Sequence, residues 1–241
     1  MTARPIIFSA PMVRALLEGR KTQTRRVLKP QPLPQFHPDG FLKVGTENAT
    51  GRSVWEARNG GKPAGAVFPG PPGSLEVAAY TMTPGDRLWV REAWRSVEAF
   101  DTLNPAKIAT ECLEAGYRHP WAPIAYEVDA RRVNWAQTWW HDHKAGRLRP
   151  SIHMPRWASR LTLTVTNVRV EQLQNISERD ALAEGMTFPH GMQWGSHPRD
   201  AFHGLWNSLH GPDAWAANPW AVAISFTVEH GNIDAVPARA A

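Results

Sequence analysis

Cysteine is nearly absent from this chain: Cys112 is the only one among its 241 residues. A lone cysteine cannot close an internal disulfide or contribute to a cysteine-rich zinc site. A chain of this length buries a sizeable core without cross-links, so a disulfide-stapled miniprotein is excluded. We interpret Cys112 as a buried or partly buried thiol, in agreement with a reducing compartment.

Long apolar runs are absent as well. No stretch approaches the roughly 18 uninterrupted apolar residues that a membrane-spanning helix needs, and the segment from Met1 to Pro5 lacks the long apolar core of a secretory signal. We therefore expect no membrane partner and a cytoplasmic location. With 42% hydrophobic and 20% charged residues, the composition is typical of a globular protein.

Tyrosine is scarce, with three residues, whereas tryptophan is abundant, with twelve. Tryptophan is well suited to stacking on a nucleic-acid base, but large aromatic side chains also anchor cores and interfaces. The formal net charge of +5 favours a polyanionic partner without requiring one. Nucleic acid is therefore the leading partner class, while core packing remains the simpler explanation for most of the tryptophans.

The pattern of apolar residues predicts short helices and well-separated strands. Ser9 and Pro11 favour the first turn of a helix, and Gly19 favours a left-handed cap at its end. The clearest strand signal is the alternation from Leu161 to Val170. Further strands are predicted at 5–8, 21–27, 87–94, 124–128 and 221–228, and further helices at 176–185 and 201–209. Separated strands with few short helices indicate an α+β fold built on a small mixed barrel.

Proline and glycine crowd the segment between about residues 31 and 83, for example in Pro69-Gly70-Pro71-Pro72-Gly73. A loop of this length inside a compact domain is unusual and tends to be functional or mobile. We predict an insertion over about 31–83 that partly covers a site. Its removal is expected to alter substrate access more than folding.

A basic segment follows the first predicted helix, with the sequence Gly19-Arg20-Lys21-Thr22-Gln23-Thr24-Arg25-Arg26. This segment resembles the G-x-K-x-x-x-x-R motif of the ASCH family. The segment from Pro84 to Glu92 resembles the second block of that family, which ends in a functional glutamate. The segment from Arg149 to Arg160 is similar to a longer branch of ASCH-like proteins encoded by phages and prophages.

The resemblance implies a PUA-like, mostly antiparallel β-barrel with short flanking helices. Residues 1–241 would form a single domain, with the 31–83 insertion between the two blocks. Small ASCH-like members hydrolyse N4-acetylcytidine to cytidine and acetate with a threonine, a lysine and a glutamate, which correspond here to Thr24, Lys21 and Glu92. The resemblance thus implies an amidohydrolase that acts on an N4-acylated cytidine-type nucleoside and needs no cofactor.

The chemistry of amide hydrolysis suits this trio. Thr24 would attack the amide carbon, while Lys21 would take the hydroxyl proton and return it to the departing amine. Glu92 would position Lys21 or the base. Burial and the neighbouring arginines lower the pKa of Lys21 whereas pairing with Glu92 raises it, so the sequence leaves the charge of Lys21 open.

Four residues are predicted to bind the substrate: Gly19, Arg26, His153 and Arg156. Arg26 lies two positions after Thr24, so both face the same side of a strand, where the guanidinium would pin a carboxylate or stabilise the oxyanion. His153 and Arg156 belong to a segment that would line a base-binding pocket. No metal site is predicted, because His141-Asp142-His143 and His153 have no further ligand at a recognised spacing.

Other functions remain open on the same residues. The cleft would also suit a non-catalytic RNA-binding module, or a ribonuclease in which lysine, glutamate and arginine support attack by a 2′-hydroxyl. In a purely structural interpretation, Lys21 belongs to a solvated basic corner and Glu92 forms a surface ion pair of little energetic value. The partner expected in the functional cases is a modified pyrimidine nucleoside or RNA.

Overall fold

The computed structural model describes residues 2–28, 57–59, 62–69, 75–78, 82–114, 122–135, 144–187 and 197–235. Its helices and strands are, in chain order, β1 (Ala3–Ile7), α1 (Ala10–Leu17), β2 (Gln23–Val27), β3 (Ala57–Asn59), β4 (Lys62–Pro69), β5 (Leu75–Ala78), β6 (Arg87–Arg91), β7 (Trp94–Arg95), α2 (Pro105–Glu114), β8 (Ile124–Tyr126), β9 (Arg132–Val133), β10 (Leu161–Gln172), α3 (Glu178–Ala183), α4 (Pro198–His210) and β11 (Trp220–His230).

The chain forms two compact units, each assembled from separated segments. The first unit comprises residues 1–19, 85–164 and 227–241, and the second comprises residues 20–84 and 165–226. The boundaries fall inside β10 and β11, so each of these long strands contributes residues to both units.

In the first unit, β1 runs parallel to β6, and β6 pairs in antiparallel fashion with the start of β10. A separate antiparallel sheet has the strand order β7-β8-β9. Helix α2 contributes Ile108 and Cys112 to the core, since these residues lie one helical turn apart on the same face. They pack in a buried cluster with Trp94, Tyr126 and Met154.

In the second unit, β2 pairs in antiparallel fashion with β11, and Thr24 lies opposite Ile224. Strands β3, β4 and β5 form an antiparallel sheet in that order. Helices α3 and α4 cover a buried apolar cluster whose largest side chains are Phe202 and Trp206. Both aromatic residues lie on the same face of α4, as its sequence pattern predicts.

These elements confirm an α+β fold with mostly antiparallel pairing. None of the sheets closes into a barrel within the described ranges. Part of the predicted insertion is a sheet, because β3, β4 and β5 all lie between residues 57 and 78. The rest of that segment, including 31–56, lies outside the described residues.

Several local predictions are confirmed. Helix α1 ends just before Gly19, whose φ of +71° is the left-handed conformation that glycine adopts without strain. Ser177 caps α3 by accepting a hydrogen bond from the backbone N–H of Asp180. Ser9 also stands at a helix N-cap, but its side chain makes no capping hydrogen bond. Cys112 is buried, as expected.

One local prediction needs correction, and one helix was not predicted. The strand expected at 87–94 is interrupted, because β6 ends at Arg91 and β7 begins at Trp94, so Glu92 lies in the break between them. Helix α2 was not predicted at all. Within the described ranges, no helix combines the length and the apolar character needed to cross a bilayer.

Candidate functional site

The lysine of the G-x-K motif is buried in the second unit beside an acidic residue from the end of α3. Lys21 is 1% exposed and Glu184 is 3% exposed. The ammonium Nζ of Lys21 donates to the carboxylate Oε2 of Glu184 and to its backbone carbonyl, both at 2.8 Å. A backbone bridge between the same two residues fixes this geometry. The motif lysine is therefore held by a local ion pair.

Arg25 extends this ion pair into a buried charged network. Its guanidinium donates to Glu184 Oε1 at 3.3 Å and to Glu171 Oε1 at 2.6 Å. Asp180 adds a third carboxylate at 3.4 Å from the guanidinium, and the side-chain oxygen of Gln23 accepts another hydrogen bond from Arg25. Buried charges persist only where such partners compensate them, so the network depends on each member.

Asp180 differs from an ordinary exposed acid. Although burial acts in the opposite direction, hydrogen bonds and the positive charge of Arg169 hold the pKa of Asp180 at about 2. Arg169 donates to Asp180 at 3.1 Å. The Asp180 carboxylate is thus charged at neutral pH and acts as a fixed acceptor.

Burial lowers the pKa of Lys21 below its ordinary value. Glu184 opposes the shift through its charge and its hydrogen bond, while Arg26 and Arg25 add to it. Burial therefore brings the lysine closer to the neutral form that can accept a proton, and Glu184 works against this effect.

Strand alternation separates the motif residues into two sets. Gln23 and Arg25 point to the face of β2 that meets Glu184, the carboxylate that Lys21 also contacts. Thr24 and Arg26 project from the opposite face. Thr24 is 4% exposed, whereas Arg26 is exposed. The predicted sharing of one face by Thr24 and Arg26 agrees with this geometry, and Lys21 is grouped with Arg25 instead.

Glu92, the third predicted catalytic residue, lies in the first unit. Its two carboxylate oxygens accept from Nε and Nη2 of Arg160, each at 2.8 Å. Arg160 also donates to Asp129 at 2.8 Å and lies 3.9 Å from the ring centroid of Tyr126. This is a bidentate pair with cation–π support, which is the strongest geometry that arginine offers a carboxylate.

Glu92 is unusually well shielded from solvent for a carboxylate. The residue is 1% exposed, and burial raises its pKa while the hydrogen bond and charge of Arg160 work against that shift. Burial also raises the pKa of Tyr126, whose hydroxyl donates to the carbonyl of Ala158 at 2.9 Å. The surface ion pair that the purely structural interpretation gives Glu92 is therefore not what the fold provides, because the pair with Arg160 is buried.

The predicted substrate-binding residues have separate environments. Arg156 forms an exposed bidentate ion pair with Asp234. His153 is exposed and lines a cleft in the first unit. Gly19 forms the turn after α1, and its positive φ gives a backbone reason for glycine at this position.

Sequence reasoning missed the partners that hold the predicted residues. Glu184 directly precedes Gly185 at the end of the predicted helix, so the sequence places it at a helix end. The sequence does not indicate that Lys21 is its partner. Arg160 ends the segment that resembles the phage branch, and nothing in its spacing linked it to Glu92. Both pairs join residues far apart in sequence, which single-sequence patterns do not encode.

His141, Asp142 and His143 lie outside the described residues. In the described part of the chain, no group of three or more histidine, cysteine or acidic side chains is arranged to hold a metal ion.

Comparisons with known proteins give no assignment for these clusters. No family model matches the chain, and neither the curated proteins nor the solved structures contain a significant match. The evidence on function therefore comes from the residues and geometry of the chain itself.

Proposed function

We propose that this protein is an amidohydrolase that acts on an N4-acylated cytidine-type nucleoside, with the buried Lys21–Glu184 pair as its proton-transfer group. The observation that carries the proposal is the burial of the motif lysine, 1% exposed, against a carboxylate at 2.8 Å. The resemblance of the two sequence blocks to the ASCH family supplies the substrate class. A relation to PUA-like folds is part of the same proposal.

The proposed reaction starts with attack of an oxygen nucleophile on the acetyl carbon of N4-acetylcytidine. Lys21, in its neutral form, takes the proton of that nucleophile, and the lowered pKa favours this form. The carbon–N4 bond then breaks as the protonated lysine returns the proton to the N4 amine. If Thr24 is the nucleophile, water cleaves the acyl-enzyme and releases acetate.

Glu184 has a positioning role in this scheme. Its carboxylate holds Nζ of Lys21 and also contacts Arg25, so the ammonium formed during the reaction meets a fixed negative charge. Replacement by glutamine would keep the shape while removing that charge. We expect Glu184→Gln to shift the acid limb of the pH–rate profile, an effect that a merely structural role would not produce.

The test is incubation of the purified protein with N4-acetylcytidine, followed by mass spectrometry of cytidine and acetate. Lys21→Met should lower kcat/KM by about a hundredfold or more, the usual contribution of general acid–base catalysis. Arg14→Gln removes an exposed cation on α1 and serves as the matched control, with unchanged turnover. Deacylation at the wild-type rate by folded Lys21→Met would exclude the proposed mechanism.

Thr24→Ala identifies the nucleophile. Loss of turnover assigns the attack to the Thr24 hydroxyl, as the family resemblance implies. Retained turnover assigns it to water, which fits the position of Thr24 on the face of β2 opposite Arg25. In both cases the role of Lys21 is tested independently.

A non-catalytic RNA-binding module is the alternative function, and the net charge of +5 favours it. Absence of deacylation together with salt-sensitive retention of a short RNA would support that alternative. Cleavage of the RNA strand would instead indicate a ribonuclease.

A further inference from the structure

A cleft of about 540 Å³ opens in the first unit, and its lining includes no residue of the two sequence blocks that resemble the ASCH family. It lies between the start of α2 and the segment that leads to Pro150, and its lining includes Asn104, Arg147, Arg149 and His153. Clefts of this volume commonly hold small organic ligands. None of the residues proposed for catalysis contributes to its walls.

Arg149 gives the cleft a buried positive charge. The residue is 3% exposed, and its guanidinium donates to the backbone carbonyls of Phe100 at 2.6 Å and Leu103 at 3.2 Å. These acceptors are neutral, and no carboxylate of the described residues lies within ion-pair distance of Arg149. Its buried Nε has no hydrogen-bond partner in the described part of the chain.

The position of Arg149 is fixed by its neighbours. Its backbone forms two hydrogen bonds with Trp94, at 2.8 and 3.1 Å, and its guanidinium lies 5.5 Å from the ring centroid of Trp94. Burial lowers the pKa of Arg149, and the charge of Arg147 adds to the shift while that of Asp101 opposes it. A bound anion would compensate the buried positive charge of Arg149 and reduce the repulsion between Arg149 and Arg147.

Exposed donors stand beside this buried charge. Arg147 and His153 are both exposed, and the backbone N–H of Arg147 is held by the carboxylate of Asp101 at 2.9 and 3.0 Å. The carboxylate of Asp101 thus fixes the backbone of this loop, and the exposed Arg147 side chain extends from it. Asn104 caps α2 through the N–H of Ala106, so the anion donors of the cleft are side chains and not free helix amides.

The cleft also has an apolar wall. Leu103, Pro105, Leu148 and Pro150 contribute to its lining, and Leu148 is 45% exposed. Such a wall would contact a ring or a sugar and offers nothing to a small free ion. The combination fits a ligand that carries an anionic group at one end and an organic body of nucleotide size at the other.

We propose that this cleft binds a nucleotide through its phosphate group, with Arg147 and Arg149 as the phosphate-binding cations and His153 as an additional donor. Arginine N–H groups match phosphate oxygens well. Arg147 offers its exposed guanidinium, and Arg149 offers the terminal N–H groups that Phe100 and Leu103 do not use. The phosphate belongs to a free mononucleotide or to an RNA strand, since both present the same chemistry. The proposal does not depend on the Lys21 mechanism.

Binding of cytidine 5′-monophosphate, cytidine, inorganic phosphate and a short single-stranded RNA is measured by titration calorimetry at low salt. Cytidine monophosphate should bind, and neutral cytidine should bind at least tenfold more weakly. Arg147→Gln should weaken binding of the nucleotide by about tenfold or more, as expected for loss of one charge-assisted hydrogen bond. Tighter, salt-dependent binding of RNA would identify the strand as the source of the phosphate.

Arg14→Gln is the matched control, because it removes an exposed arginine of the same unit that is not part of the cleft. Equal weakening by Arg14→Gln and Arg147→Gln would show non-specific charge attraction and overturn the proposal. Equal affinity for cytidine and its monophosphate, or no binding at millimolar ligand, would also overturn it. His153→Ala provides a second exposed variant if Arg147→Gln fails to fold, and it should weaken nucleotide binding several-fold.

Discussion

At the scale of single residues, the chain uses the same arginine–carboxylate geometry in two very different environments. Arg160 and Glu92 have side chains that are 10% and 1% exposed, whereas Arg156 and Asp234 are 43% and 59% exposed. Both pairs are bidentate. Exposure therefore decides how much each pair contributes to the stability of the fold, since water screens the Arg156–Asp234 pair and is excluded from the Arg160–Glu92 pair.

Arg160→Met should destabilise the folded protein by about 3 kcal/mol, because it leaves the buried carboxylate of Glu92 without its cation. Arg156→Met should change the free energy of unfolding by less than about 1 kcal/mol, as is usual for an exposed ion pair. Urea denaturation followed by circular dichroism measures both. Equal losses in the two variants would show that the burial of Glu92 has no energetic consequence.

Lys21 makes stability depend on pH in a direction that its burial fixes. Its folded-state pKa is below the ordinary value of 10.5, so between these two values the unfolded chain holds more protons than the folded one. The free energy of unfolding then rises with pH through that window. Lys21→Met lacks this group, so its stability relative to wild type should fall as the pH is raised from neutral towards about 10. Denaturant titrations at several pH values measure the difference, and a constant difference would contradict the lowered pKa.

Residue-level patterns predicted part of the candidate site. The motif identified Lys21 as a special residue, and the structure buries it. The sequence did not predict Glu184 as its partner, because a lysine and a glutamate separated by most of the chain leave no periodic signal. The sequence suggested Lys21 as a partner of Glu92, or an exposed ion pair in the purely structural interpretation, whereas the structure pairs Glu92 with Arg160. The alternation of the 87–94 segment hides the break at which Glu92 is buried.

At the scale of elements, the two serine caps give a direct comparison. Ser177 accepts a hydrogen bond from the N–H of Asp180 at 3.1 Å, and α3 presents Asp180 to Arg25 and is followed by Glu184. Ser177→Ala should therefore lower stability by about 1 kcal/mol. Ser9→Ala is the control, because Ser9 makes no capping hydrogen bond. This variant should lower stability by only a few tenths of 1 kcal/mol. Thermal unfolding of the two variants tests the prediction, and a larger loss of stability in Ser9→Ala than in Ser177→Ala would contradict it.

A single asparagine secures the segment that contains Arg156. The side-chain amide of Asn232 donates to the carbonyls of Arg156, Trp157 and Ser159 at 2.8, 3.2 and 2.9 Å. Asn232→Ala should destabilise by about 1–3 kcal/mol, since it leaves carbonyl acceptors without a donor. Asn232→Asp should be worse, because a carboxylate faces those carbonyls with no proton to donate. Denaturation midpoints measure the order, and an aspartate variant as stable as wild type would contradict it.

The success of the element predictions follows from the strength of each periodic signal. Strand β10 alternates over most of its length, and α3 combines a cap residue with a terminal glycine, so both were found from sequence. Helix α2 buries only Ile108 and Cys112, and one such pair is too little periodicity to mark a helix.

At the scale of the whole molecule, neither unit is continuous in sequence. The first unit takes residues 1–19, 85–164 and 227–241, so β6 obtains its parallel neighbour β1 from a distant segment. A fragment of residues 85–164 should therefore fail to fold cooperatively, although it contains most of the first unit. Circular dichroism with a denaturant titration tests this, and a sigmoidal unfolding transition in the fragment would contradict it. Composition and local sequence pattern did not predict this division into two units, because the division depends on which distant segments contact each other.

The interleaving also has a consequence for biosynthesis. Domains built from continuous segments fold one after another as the chain leaves the ribosome. Here the second unit requires residues up to 226, and the first requires residues from 227 onwards. Neither unit can therefore be completed before residues 226 and 227 have been synthesised, and until then the apolar surfaces of the nascent chain, with their many tryptophans, remain exposed to aggregation.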